Sequence, residues 1–129
     1  MSAFVTLEEA EQERLKQALF IDLIGLAPEG ADLIISTDSW SGLPGLLGQR
    51  LVEREDRWVV PLIPSTRAFL VQQALADNLQ TMLVHFYIHV KDTGILTYYD
   101  AMCGIKLEQT FPDYQRIITE YASLGIIMT

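Results

Sequence analysis

At 129 residues, half of them hydrophobic and a fifth charged, the chain has the size and apolar content of one domain with an ordinary core. Seventeen acidic against nine basic residues give a net charge of −8, which works against binding phosphate backbones and makes a basic protein the electrostatically favoured partner. The longest apolar stretch, residues 18–27, contains Asp22 and is half the roughly 20 positions that a membrane-spanning helix needs.

One helix opens the chain. Thr6 and Glu9 have capping-box spacing, and Glu8, Glu9 and Glu11 lie where the helix dipole favours negative charge. Leu7, Ala10, Leu15, Ala18, Leu19, Leu23 and Leu26 approximate one face, and Pro28 and Gly30 end the helix. Its second half is apolar nearly all round, as in a helix covered on more than one side. Asp22 reads as part of a narrow polar stripe. A short strand follows at residues 32–36, with Leu33, Ile34 and Ile35 as its buried part. Residues 36–48, rich in glycine and holding Pro44, read as a loop in which Trp40 sits beside Gly42. Residues 46–54 suit a helix or a strand equally. Trp58, Val59 and Val60 favour a strand by their shape.

Pro64 and Ser65 open a second helix, with Ser65 as N-cap, a buried face of Ala68, Val71, Ala74, Leu75 and Leu79, and a stop at Asn78. A hairpin is expected next, from residues 82–90 and 95–103 around a turn at residues 91–94. The last helix carries Tyr114, Ile117, Ile118, Tyr121 and Leu124 on one face and stops at Gly125. The apolar tail 126–128 then adds to the sheet or enters a subunit interface. The architecture expected is a single α+β domain spanning 1–129: a mostly antiparallel sheet of four to five strands packed with three helices.

Alternation on the first hairpin strand gathers His85, Tyr87 and His89 on the face opposite Met82, Val84, Phe86, Ile88 and Val90. Both histidines of the chain are therefore in one polar row. A two-residue loop at Asp92 and Thr93 would set His85 against Asp100 and Tyr87 against Tyr98. A three-residue loop ending at Gly94 would set Tyr87 against Tyr99 and turn Asp100 inward. The first is preferred, because it keeps a carboxylate out of the core. An imidazole beside a carboxylate can act as a base, but no G-x-S-x-G motif supplies a nucleophile. His85 and His89 would stand about 13 Å apart on a strand, too far to share a metal ion. No sequence feature indicates a cofactor.

A tyrosine-bearing face supplies contact area at low entropy cost, so binding ranks ahead of catalysis here. The functional expectation is a small acidic protein-binding module, acting as an inhibitor, immunity-type or adaptor protein through an acidic or aromatic surface. His85, Tyr87, His89, Asp100 and Trp40 are its candidate contact residues. The alternative is a small enzyme or ligand-binding domain with a pocket around His85, Tyr87 and Asp100. A mean hydropathy of +0.21 indicates surplus apolar surface and hence a homodimer, formed through the tail or the second half of the first helix. Cys103 is the sole cysteine, which excludes an intramolecular disulfide. With no signal peptide in view, a reducing cytoplasm is the expected location.

Overall fold

The computed structural model describes residues 7–99 and 104–129. Its order is α1 (Leu7–Leu26), β1 (Ala31–Ser36), α2 (Leu43–Leu47), β2 (Val52–Glu53), β3 (Arg57–Pro61), α3 (Pro64–Asp77), β4 (Phe86–Val90), β5 (Thr93–Tyr99), β6 (Gly104–Leu107) and α4 (Tyr114–Ser123). The six strands form one sheet, ordered β2-β3-β1-β4-β5-β6, with every neighbouring pair antiparallel. The fold is α+β, with one more strand and one more helix than the sequence suggested. The extra helix, α2, lies in the glycine-rich stretch read as loop. Pro44 fits its first turn, where a missing N–H costs nothing. Thr6, Asp100 and Cys103 lie outside the described residues.

Strand register decides which face is covered. Trp58, Ile35, Phe86, Tyr98 and Ile105 are successive cross-strand partners, as are Val60, Leu33, Ile88, Leu96 and Leu107. Both rows are buried, and they pack with Leu19, Phe20, Leu23 and Ile24 of α1, Leu70 and Ala74 of α3, and Ile117 and Tyr121 of α4. Phe86 stacks on Tyr98 with ring centres 4.0 Å apart and meets the edge of Phe20 at 5.6 Å. The helices thus share one side of the sheet. In the second half of α1, Leu19, Phe20, Leu23 and Ile24 are buried in the chain's own core, so these side chains are not available to a second copy.

α1 and α3 run antiparallel, and each caps the other. The Arg67 guanidinium at the start of α3 donates to the carbonyls of Ile24 (2.9 Å), Ala27 (2.6 Å) and Pro28 (2.8 Å) at the end of α1, and to Leu62 (2.8 Å) before its own helix. In return, Gln17 of α1 donates to the Ala74 carbonyl (2.9 Å) and to the Asn78 side chain (3.2 Å). A cation at a helix C-terminus is favoured by the exposed carbonyls and the dipole. Asn78 closes α3 in the left-handed conformation, at the expected stop. The N-cap is Ile63 rather than Ser65, because Pro64 occupies the first turn. The buried stripe is Thr66, Leu70 and Ala74, and Leu75 is 62% exposed. Two apolar stripes compete on this helix, and the mutual capping fixes which one turns inward.

Asp22 accepts a 2.6 Å hydrogen bond from the Tyr121 hydroxyl of α4, so it anchors a helix instead of belonging to a solvent stripe. At the other edge of the sheet, Thr129 donates to the Ile105 carbonyl (3.0 Å) and accepts from Leu107 N–H (3.2 Å). The tail therefore lies along β6, with Met128 buried and Ile127 exposed.

Two outcomes follow. Replacing Arg67 with Met should lower unfolding free energy by about 3 kcal/mol in urea titration, and Lys should recover less than half, since one ammonium cannot reach all the carbonyls. Burial foremost, then the hydrogen bond to Asp22 and the charge of that carboxylate, raise the Tyr121 pKa above its ordinary value of 10.0. Above that value the unfolded tyrosine releases its proton while the folded one keeps it. Stability contributed by this group is thus complete below pH 10 and falls as pH rises, by up to about 1.4 kcal/mol per pH unit. Urea midpoints between pH 8 and 11 should show this loss in the wild type and a shallower one in Tyr121→Phe.

Candidate functional site

No described helix covers the other face of the sheet. Its central row, read across the strands, is Val52, Val59, Ile34, Tyr87, Thr97 and Lys106. A flanking row carries Pro61, Asp32, His89 and Gly94. Ile34 is only 7% exposed although no helix lies over it, because Val59 and Tyr87, its partners on either side, close around it. Tyr87 and His89 are half-buried, with ring centres 6.2 Å apart.

Two adjoining depressions open here. One, about 310 Å³, is lined by Ile34, Ser36, Asp56, Arg57, Tyr87 and His89, among others. The second, about 360 Å³, involves Asp32, Arg54, Val59, Lys91 and Asp92, again with Ile34, Arg57 and His89. Tyr87 and His89 therefore fall together as the alternation predicted. Tyr99 lies on the same side, its ring over Gly104 so closely that a β-carbon there would collide with it.

The hairpin register differs from both alternatives considered. Tyr87 faces Thr97, Ile88 faces Leu96, and after a bulge His89 faces Gly94 and Val90 faces Thr93. The loop is Lys91 and Asp92, with Lys91 at φ 50°. The sequence points to Gly94 as the residue able to adopt positive φ, but the turn forms one step earlier and the bulge absorbs the offset. β4 is also shorter than expected, since residues 79–82 form a 3₁₀ turn.

His85 precedes β4 and stands in a different polar cluster. Its backbone N–H donates to Ser36 Oγ (3.2 Å), and its carbonyl accepts from Ser36 N–H (3.0 Å). Its Nε2 lies 3.7 Å from Asp38 Oδ2. Ser36 also reaches Asp38, and buried Ser39 accepts from Val84 N–H at 3.0 Å. These hydroxyls replace backbone partners where β1 ends and the chain enters β4. Asp38 is thus a carboxylate beside His85 that strand alternation does not point to; Asp100, expected there, lies outside the described residues.

Trp40 is 50% exposed and lies over Gly42, where a β-carbon would collide with the indole. It is part of neither depression. Ile34, Val59, Arg54, Arg57 and Lys91 were missed as site residues. The signal for the first two was available: alternation separates Ile34 from Leu33 and Ile35, and Val59 from Trp58 and Val60. Comparison with protein-family models, with curated proteins and with solved structures finds no match.

Proposed function

We propose that the chain is a small protein-binding module whose contact surface is the uncovered face of the sheet. The observation that carries this reading is the arrangement around Ile34. An apolar centre of Ile34, Val59 and Tyr87 is ringed by Arg54, Arg57, Asp32, Asp92 and Lys91. An apolar middle with a charged rim is the anatomy of protein interfaces. Half-buried Tyr87 offers a large rigid area with a polar tip, which suits an anchoring contact. The enzyme alternative asks for a pocket around His85, Tyr87 and Asp100; Asp100 lies outside the described residues, and His85 lines neither of these two depressions.

Of the acidic or aromatic surface expected, this reading takes the aromatic one, and the two are separate. The sheet face carries Arg54, Arg57, Lys91 and Lys106 beside its acids, whereas Glu9, Glu11 and Glu13 lie on α1. A net charge of −8 still steers a basic partner at long range, but the contact itself is mixed.

A homodimer has a largely apolar surface available on α3. Ala68, Val71, Gln72, Leu75 and Ala76 line an open apolar depression there together with Arg67, whose guanidinium donates to backbone carbonyls. Two copies of charge −8 repel least across such a face.

The binding reading is tested by capturing a partner from the host with the wild-type chain and measuring affinities for variants. Tyr87→Ala should weaken binding by about 30-fold, the size of a hot-spot loss near 2 kcal/mol. Equal affinity of wild type and Tyr87→Ala would reject the sheet face. Independently, sedimentation at micromolar concentration should show a dimer that Leu75→Glu dissociates; a 14.6 kDa species alone would reject self-association.

A further inference from the structure

We propose that the depression between the β2–β3 and β4–β5 turns is a carboxylate-binding subsite, which receives one acidic side chain of the partner. This rests on the sheet-face reading and adds the chemistry of what docks there. Cations from separate parts of the chain converge on it: Arg54 and Arg57 at the β2–β3 turn, and Lys91 in the β4–β5 loop. Among the described residues, neither Arg54 nor Lys91 has a carboxylate within ion-pair distance, although acids outnumber bases almost two to one. Arg57 lies 4.0 Å from Asp56, but an exposed pair of that length contributes little, and Asp56 lines the neighbouring depression.

Backbone geometry at the rim points the same way. Lys91 holds the left-handed conformation at φ 50°, which a residue with a β-carbon adopts at a cost, and a bulge between Ile88 and His89 re-aims the strand beside it. The turn thereby places an ammonium, rather than a glycine, at the edge of the depression.

The lining also selects among anions. In this lining the cations Arg54, Arg57 and Lys91 outnumber the carboxylates Asp32 and Asp92 by one. One carboxylate matches that excess. A phosphate monoester, with about −1.5 to −2 at neutral pH, exceeds it. Ile34 and Val59 form the apolar part of the same lining, so the carboxylate arrives on an apolar stem. A glutamate flanked by aliphatic residues has that chemistry.

The test is a titration of the ¹⁵N-labelled full chain with three blocked tripeptides, Leu-Glu-Leu, Leu-Gln-Leu and Leu-phosphoserine-Leu. The glutamate peptide should shift the amides of Val59, His89 and Lys91 and bind more tightly than the other two. The Arg54→Gln/Lys91→Gln variant should bind it about fivefold more weakly or less tightly still, with unchanged thermal stability. Equal binding of the glutamate and glutamine peptides would overturn the subsite, as would preference for phosphoserine or indifference to the double substitution. The captured partner separates this failure from failure of the wider reading. Loss of partner affinity in Tyr87→Ala but not in Arg54→Gln/Lys91→Gln removes the subsite alone, whereas indifference to both removes the sheet face as well.

Discussion

Two rows of apolar side chains cross the sheet on one face, and strand register holds them together. Trp58, Ile35, Phe86, Tyr98 and Ile105 meet in sequence across five strands, and Val60, Leu33, Ile88, Leu96 and Leu107 do the same one step along. A slip of one residue in any strand would bring its polar set into the core. Burial of these rows under α1, α3 and α4 therefore fixes which residues remain on the other face. Ile34, Tyr87 and His89 face outward because Leu33, Ile35, Phe86 and Ile88 face inward. The helices are locked over that face by polar ties as well as packing: Arg67 and Gln17 join α1 to α3, and Tyr121 joins α4 to Asp22.

Much of this was legible in the sequence. The α+β class, the long first and last helices, the stop at Asn78 and the grouping of Tyr87 with His89 follow from periodicity of 3.6 or 2 and from residues with strong conformational preferences. What was not legible involves choices between near-equal local options. α3 has two apolar stripes, and only its contacts with α1 say which is buried. The hairpin could turn around Gly94, yet it turns around Lys91, and the tertiary fit of β4 against β1 outweighs the local cost of positive φ. Asp22 looked like surface because its partner is 99 positions away.

Site residues divide along the same line. Tyr87 and His89 were visible because a polar row on an otherwise apolar strand is unusual. His85 shares their parity but leaves the strand before β4 begins, so it joins Ser36 and Asp38 instead. Ile34 and Val59 were hidden because an apolar residue within an apolar run reads as core. On an uncovered sheet face, the same residues form the apolar centre around which Arg54, Arg57 and Lys91 gather.

Methyl cross-saturation from an unlabelled partner onto the methyl-labelled chain tests the central claim most directly. The proposal predicts attenuation at Ile34, Val52 and Val59, the methyl-bearing aliphatic residues of the central row, with Leu75 and Leu124 unaffected. Attenuation confined to Leu75, Ile63 or Leu124 on the opposite side would contradict it.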